Sequence, residues 1–221
     1  MIISLIGFMG CGKSSVGRRL SELLCCRFID LDNVIEEREG RTIAEIFAAE
    51  GEARFREIEL ESLLAVVEGE CSKTESLPRL RRGPLPFTRP RAATVFDSSP
   101  LHNGQAKRSE VIDEVAEANA KESPHLILAL GGGAVMTKEC AESVRKNTVC
   151  IYIRASVDTL LEHLASEAEE RPLLARNTEL RSRIENLLSQ RTAIYENTAH
   201  IVVDTDNKTI EQIAYEISTL I

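Results

Sequence analysis

Short apolar segments alternate with amphipathic segments along most of the chain. Five apolar segments predict β-strands, and they lie at Ile2–Ile6, Arg27–Ile29, Leu126–Leu130, Val149–Ile153 and Ile201–Val203. Seven segments with helical spacing predict α-helices, and they lie at Lys13–Leu24, Val34–Arg38, Ile43–Val67, Lys138–Lys146, Val157–Ser166, Glu179–Asn197 and Lys208–Leu220. Strands that alternate with helices indicate a parallel sheet covered on both faces. We therefore expect an α/β fold in which residues 1–221 form a single domain.

One region interrupts this pattern. Residues 70–109 show no hydrophobic period, are locally basic, and contain five of the seven prolines, all within Pro78–Pro100. Structureless segments longer than about 12–15 residues are uncommon inside compact domains, so we interpret 70–109 as a mobile insertion. It is either a docking or regulatory arm for an acidic partner or a tolerated surface loop. Directly after it, Glu110–Lys121 is predicted to be a helix that leads back into the sheet.

Composition narrows the classes of protein that remain. The chain is 43% hydrophobic, which is enough for a core, and its net charge of −8 argues against non-specific nucleic-acid binding. The six cysteines form no CxxC pair and no metal-ligand spacing, which favours a reducing compartment. No segment approaches the ~20 apolar residues that span a bilayer. The apolar N-terminus has no basic residue before Lys13, so it is a first strand rather than a signal peptide. We expect a cytoplasmic, monomeric protein without membrane or nucleic-acid partners.

The strongest chemical signal follows the first predicted strand. Residues 7–14 (GFMGCGKS) have the spacing G-x-x-x-x-G-K-S of a phosphate-binding loop, between a strand and a helix. Glycines allow backbone N–H groups to approach phosphate oxygens, Lys13 can reach the β- and γ-phosphates, and the Ser14 hydroxyl can ligate Mg²⁺. The positive end of the helix dipole favours the same anion. Within the loop, Cys11 is either a reactive thiol or a passive filler.

Two carboxylates follow the second predicted strand. Asp30 and Asp32 are two residues apart, so on a strand they would point the same way, into the crevice where open α/β sheets bind ligands. One of them can help to hold Mg²⁺, and the other can accept a hydrogen bond from a substrate hydroxyl. Alternatively, the pair caps the helix that follows.

Arginines and a glycine triplet suggest an anionic substrate. Arg56 and Glu59 are three apart on a predicted helix, so Glu59 can fix a guanidinium that receives a carboxylate, unless the two form only a surface ion pair. Three glycines after the third strand let the backbone approach a small ligand, or they form an ordinary flexible turn. Arg171 lies beside a proline on a predicted loop. If that loop closed over ATP, Arg171 would neutralise charge on the transferring phosphoryl group. Arg191 lies in a predicted helical segment, and the alternative to a binding role is that it lies on a solvated helix face.

In order along the chain, these fragments resemble the shikimate kinase family. The fragments are GxxGxGKS, DLD, IEEREGRTIAEIF, GEARFRE, LGGGAV, ERPLL and QRTAIY, and they cover nearly the whole chain outside the insertion. The resemblance implies a P-loop NTPase fold of the nucleoside-monophosphate-kinase type, with a five-stranded parallel sheet and a lid at 164–177. It also implies transfer of the ATP γ-phosphoryl group to the 3-hydroxyl of shikimate, a step toward chorismate and the aromatic amino acids.

The resemblance also implies roles for individual residues. Lys13, Asp32 and Arg171 would be catalytic, with Asp32 orienting or deprotonating the attacking hydroxyl and Arg171 acting from the lid. Ser14 and Asp30 would lie on the Mg²⁺ side. ATP would be bound by Gly10, Cys11, Gly12, Lys13, Ser14, Ser15, Arg171 and Lys208, the last of these near the adenine. Shikimate would be bound by Asp32, Arg56, Gly131, Gly132, Gly133 and Arg191.

Two alternatives remain at this stage. The first is a kinase for another small hydroxylated acid, such as gluconate. The second is a nucleotide-dependent regulatory or binding protein that keeps the fold without turnover. The presence of Lys13, Ser14, Asp32 and Arg171 argues against the second alternative.

Overall fold

The five strands form one fully parallel sheet. The structure is a computed structural model that describes residues 1–74, 124–167 and 174–221. The strand order is β2-β3-β1-β4-β5. The strands are β1 (Ile2–Ile6), β2 (Arg27–Asp30), β3 (Leu126–Ala129), β4 (Val149–Arg154) and β5 (Ile201–Asp204). The predicted fold class and all five predicted strands are confirmed, with boundaries that differ by one residue at most.

Seven α-helices lie in the described part of the chain. They are α1 (Lys13–Leu24), α2 (Leu31–Glu39), α3 (Ile43–Thr74), α4 (Lys138–Asn147), α5 (Val157–Glu167), α6 (Leu174–Thr198) and α7 (Ile210–Leu220), with a 3₁₀ turn at Ala134–Met136. The predicted single helix over Ile43–Val67 is wrong in one respect, because Gly51 has φ 77° and ψ 177° and interrupts α3. The predicted helix Glu110–Lys121, most of the 70–109 insertion and Arg171 lie outside the described residues.

The sheet is covered on both faces because its central strands are buried on both sides. In β1, Ile2 and Ile6 pack in one cluster with Tyr152 and Tyr195, whereas Ile3 and Leu5 pack in the other. Alternate residues of a strand point to opposite faces, so each face needs its own layer of helices. The first cluster involves α2, α3 and α4, and the second involves α1, α5 and α7.

The strand order determines which loops meet. β2, β3 and β1 are neighbours, so the segments that follow them leave the same edge of the sheet side by side. Ligands of open parallel sheets bind at this carboxyl edge. The segments in question contain the phosphate loop, the Asp30–Asp32 pair and the glycine triplet, which are the groups with candidate chemistry.

Candidate active site

The phosphate loop leads directly into α1. Gly12 precedes the helix with φ 87°, a left-handed conformation that favours glycine, and no side chain caps the first turn. The backbone N–H groups of that turn therefore have no side-chain acceptor, as in a helix terminus that binds an anion. The Lys13 ammonium donates to the carbonyls of Gly7 (3.0 Å) and Phe8 (2.9 Å), which hold it across the loop.

Ser14 connects the phosphate loop to β2. Its hydroxyl donates to Asp30 Oδ2 at 2.6 Å, so a hydroxyl and a carboxylate oxygen lie together beside the loop. Hard oxygen donors of this kind suit Mg²⁺, which is commonly held by one or two protein groups together with substrate phosphates and water. Within the described ranges there is no cluster of three or more His, Cys, Asp or Glu residues that could hold a metal by itself.

The expected arrangement of the two aspartates is wrong in one respect. β2 ends at Asp30, and Asp32 belongs to the first turn of α2 rather than to a strand. The reason is that the Asp30 side chain caps the helix: its Oδ1 accepts a hydrogen bond from the Asp32 backbone N–H at 3.2 Å. The capping alternative therefore holds for Asp30, while the same carboxylate keeps its other oxygen on Ser14.

Asp32 is the carboxylate on which the charges of the site converge. Burial raises the pKa of Asp32, and the neighbouring Asp30 carboxylate raises it further, while Lys13 and Arg56 act in the opposite direction. A partly buried carboxylate on which another carboxylate and two cations act fits a hydrogen-bond acceptor for a reacting hydroxyl.

Arg56 is fixed by Glu59, as the helical spacing predicts. The guanidinium and Glu59 Oε2 are 2.7 Å apart, and the side chains are 18% and 1% exposed, so this is a largely buried pair. Glu52 contributes a second, exposed contact at 3.2 Å. Burial raises the pKa of Glu59, against the effect of the arginine. The surface ion-pair alternative is therefore excluded for Arg56.

The glycine triplet lies between these groups. A Cβ at Gly131 would lie 2.8 Å from Asp32 Oδ1 and 3.1 Å from Glu59 Oε1, and one at Gly133 would overlap with the Arg56 guanidinium. The three glycines therefore do not form a free turn. They allow Asp32, Glu59 and Arg56 to approach the backbone closely.

Arg191 approaches the same region from α6. Its guanidinium carbon is 5.9 Å from the centre of the Phe8 ring, within the range of a cation–π contact. Phe8 belongs to the phosphate loop, so Arg191 is not a solvated residue on an isolated helix. Arg56 and Arg191 thus come from different helices to the two loops that flank the Lys13 site.

A cavity of about 810 Å³ lies on the other side of the phosphate loop. Its lining includes five predicted nucleotide-binding residues, which are Gly10, Cys11, Gly12, Ser15 and Lys208. The Lys208 ammonium pairs with Glu216 at 2.6 Å. The predicted helix start at Lys208 is wrong, because Thr209 caps α7 through a reciprocal pair of bonds with Gln212.

Two lining residues that sequence reasoning missed fix the shape of this cavity. Asp206 Oδ1 accepts from the Ser156 N–H (2.9 Å) and the Thr159 hydroxyl (2.7 Å), which holds the segment after β5 against α5. His163 Nδ1 is 2.7 Å from the Gly10 carbonyl, and because a carbonyl only accepts, Nδ1 carries the proton. Their partners lie 47 or more residues away, so no local spacing signals them.

Cys11 is a filler in this structure. The residue is 2% exposed. Burial raises the pKa of its thiol even though Lys13 Nζ, 3.8 Å from the sulfur, acts in the opposite direction. A buried thiol with a raised pKa is a poor nucleophile, so the alternative of a reactive thiol is not supported.

Fold and site together define the class of protein. The arrangement is that of a P-loop phosphotransferase. It consists of a parallel sheet, a phosphate loop that ends in a lysine and a serine, an acidic residue after the neighbouring strand, and an arginine fixed by a buried glutamate. In residues 1–74, 124–167 and 174–221, none of the helices combines the length and apolarity of a membrane span.

Comparison with known proteins identifies the family. The family model described as Shikimate kinase matches residues 9–73 and 93–221. The shikimate kinase of Dictyoglomus turgidum is 30% identical over 97% of this chain and 94% of its own length. That of Thermus thermophilus is 31% identical over 97% of this chain and 86% of its own. The structure of shikimate kinase from Acinetobacter baumannii in complex with shikimate is 25% identical, with a TM-score of 0.67 over 99% of this chain and 91% of that one.

The chain belongs to the shikimate kinase family, as the resemblance predicts. Its activity is the ATP-dependent phosphorylation of shikimate, in the biosynthesis of aromatic amino acids. This excludes the two alternatives, a gluconate-type kinase and a binding protein without turnover.

Proposed function

We propose that Lys13, Asp32 and Arg171 carry the phosphoryl transfer to the 3-hydroxyl of shikimate. The observation that carries this proposal is the position of Asp32, on whose pKa the charges of Lys13 and Arg56 both act. Lys13 belongs to the phosphate side, and Arg56 belongs to the side proposed for the substrate. Because both charges act on Asp32, we propose that the attacking hydroxyl meets the γ-phosphate beside this carboxylate.

Phosphoryl transfer requires alignment and charge stabilisation more than covalent chemistry. Asp32 accepts a hydrogen bond from the 3-hydroxyl, which orients its oxygen toward the phosphorus. It takes the proton as the bond from this oxygen to the γ-phosphorus forms and the bond from the γ-phosphorus to the bridging oxygen breaks, which releases ADP. Lys13 stabilises the charge on the β- and γ-phosphate oxygens. Arg171 lies outside the described residues, and its proposed role in the lid, 164–177, rests on the family motif ERPLL.

Mg²⁺ fits the pair of oxygens at Ser14 and Asp30. Their 2.6 Å contact supplies a hydroxyl and a carboxylate at the side of the phosphate loop. When bound, the ion would neutralise charge on the β- and γ-phosphates. Ser14 and Asp30 are the residues that we propose to hold it, directly or through water.

The carboxylate of shikimate is proposed to bind between Arg56 and Arg191. A guanidinium that is fixed by a buried glutamate has lost much of its rotational freedom before the substrate arrives. Gly131, Gly132 and Gly133 complete this side with backbone groups. On the other side of the phosphate loop, Gly10, Cys11, Gly12, Ser15 and Lys208 are proposed to surround the nucleotide in the 810 Å³ cavity.

The remaining proposals concern the setting of the enzyme. We infer a cytoplasmic monomer, with a single domain over 1–221 and an inserted segment at 70–109. Five cysteines are free thiols, which supports a reducing compartment; they are Cys11, Cys25, Cys26, Cys140 and Cys150.

Two arginine substitutions test the proposed substrate side. We expect Arg56→Ala and Arg191→Ala each to raise the KM for shikimate by about 30-fold or more, because losing one partner of a buried charged contact commonly costs roughly 2 kcal/mol or more. The KM for ATP should stay within about twofold. Arg54→Ala is the matched control, because Arg54 lies on the same helix but its pair with Glu57 is exposed. Equal losses of ATP and shikimate affinity would contradict the assignment.

A further inference from the structure

Tyr195 is a buried residue that the proposed chemistry does not use. It lies on α6, is 0% exposed, and stacks on the buried Tyr152 with ring centres 5.0 Å apart. Its hydroxyl donates to the carbonyl oxygen of Gly132, the middle residue of the glycine triplet. A buried phenol that reaches across 63 residues to one backbone carbonyl fixes that carbonyl in space.

The same hydroxyl lies on the side of α6 that carries the arginine proposed to bind substrate. Arg191 is one helical turn before Tyr195 on the same face of α6, and its charge acts on the phenol. A phenol oxygen that donates its proton to Gly132 keeps lone pairs that favour a neighbouring cation. Burial raises the pKa of Tyr195 to about 12, so the group keeps its proton and remains a donor.

Gly132 in turn lies against the phosphate loop. A Cβ at Gly132 would lie 3.0 Å from the backbone nitrogen of Met9. Phe8, the preceding loop residue, is the one over which the Arg191 guanidinium lies. These contacts join the phosphate loop, the glycine triplet and α6, and the Tyr195 hydroxyl forms the link between α6 and the glycine triplet.

We propose that Tyr195 is a positioning residue for shikimate, whose hydroxyl group fixes the Gly132 carbonyl beside the turn of α6 that carries Arg191. This rests on the proposed function, in which Arg191 binds the substrate carboxylate and the glycine triplet supplies backbone contacts. Without the hydroxyl, the Gly132 carbonyl loses its donor, and Arg191 loses a neighbouring polar oxygen that favours its charge. Both changes act on the substrate side and leave the nucleotide cavity intact.

The test compares two substitutions that each remove one buried hydroxyl from the same stacked pair. Tyr195→Phe keeps the ring and its contact with Tyr152, and we expect it to raise the KM for shikimate about tenfold, with the KM for ATP within about twofold. Tyr152→Phe is the control, because Tyr152 is the other ring of the stacked pair and lies on β4, and we expect both KM values to stay within about twofold.

Stability is measured alongside by thermal melting, because a merely structural role would lower the melting temperature without separating the two KM values. KM does not depend on the folded fraction of the sample, so partial unfolding cannot imitate the expected result. In an Arg191→Ala background, Tyr195→Phe should raise the KM for shikimate by less than it does alone, because the effect of its hydroxyl on Arg191 is already gone.

Three outcomes overturn the proposal. A shikimate KM within twofold of the unsubstituted enzyme in Tyr195→Phe, while Arg191→Ala raises it, removes Tyr195 from the site and leaves the proposed function standing. Equal effects of Tyr195→Phe and Tyr152→Phe on the KM for shikimate would mean that both residues contribute only to packing. No effect of Arg191→Ala on the shikimate KM removes the proposed substrate site itself, and the positioning role with it.

Discussion

Asp32 shows how one residue can combine several physical requirements. Its carboxylate is partly buried, which disfavours the ionised form, and Asp30 adds to that effect. Lys13 and Arg56 favour the ionised form, and the net result is a raised pKa. A carboxylate can take the proton of the substrate hydroxyl, as proposed, only while it is ionised, so the raised pKa brings the loss of this base closer to neutral pH.

The pH dependence of the reaction should report this residue. The deprotonated fraction of Asp32 falls as pH drops through a pKa that lies above the ordinary value of 3.8. We therefore expect kcat/KM for shikimate at saturating ATP to fall on acidification, with a limb above that value. Asp32→Asn should lower kcat by roughly 10²–10⁴-fold and remove the limb, whereas Glu59→Gln should retain it. An unchanged acid limb in the residual activity of Asp32→Asn would assign the titration to another group.

At the residue scale, functional groups can be predicted from the sequence where the residues involved are close together along the chain. The phosphate loop and the Arg56–Glu59 pair are of this kind, because each involves residues within a few positions of one another. Such prediction fails where the contact is long-range. His163 and Gly10 are 153 positions apart, and Tyr195 and Gly132 are 63 apart, so only the folded chain brings them together.

At the scale of elements, the sequence predicts the existence of strands and helices better than their ends. α2 begins three residues earlier than expected because Asp30 caps it, and α7 begins two residues later because Thr209 does. Hydrophobic periodicity cannot distinguish a capping side chain from a solvated one, since both are polar. The left-handed Gly51 inside α3 is a similar case, because a glycine in a helical pattern is usually tolerated.

The His200 side chain adds a hydrogen bond between β4 and the start of β5. His200 is 6% exposed, its N–H donates to the Cys150 carbonyl at 2.8 Å, and its Nδ1 accepts from the Cys150 N–H at 2.9 Å. Nδ1 must therefore be unprotonated in the folded protein. Burial lowers the pKa of His200 below its ordinary 6.5, and Arg145 acts in the same direction.

The hydrogen bond from the Cys150 N–H to His200 should make the free energy of unfolding depend on pH. As pH falls below about 6.5, the unfolded chain takes up a proton at His200 that the folded protein does not, so the free energy of unfolding decreases. His200→Asn keeps an acceptor oxygen without titrating, and we expect urea unfolding at pH 8 and pH 5.5 to differ less for this variant. His200→Leu should cost roughly 1–3 kcal/mol at pH 8, because the Cys150 N–H is left buried without an acceptor. A pH dependence that His200→Asn leaves unchanged would contradict this.

At the scale of the whole molecule, the site is a consequence of strand order. Three loops meet because β2, β3 and β1 are adjacent, and residues from α3 and α6 close the region around them. The 810 Å³ cavity proposed for the nucleotide arises next to it, from the segments after β1, β4 and β5. Among the residues that the structure describes, the groups that form these regions belong to other parts of the chain than the connection between α3 and β3, and the family model itself is interrupted between residues 73 and 93.

Removing part of that connection should therefore leave catalysis unchanged. We expect deletion of residues 78–90 to keep the KM for ATP and for shikimate within about twofold. The melting temperature should change little, because closure of a shorter loop alters the free energy of unfolding by only a few tenths of a kcal/mol. The deletion removes four arginines, so the matched control substitutes those arginines with serine and keeps the length. A rise in the ATP KM in both variants would give these arginines a role in nucleotide binding, and a rise in the deletion alone would make the length of the connection the requirement.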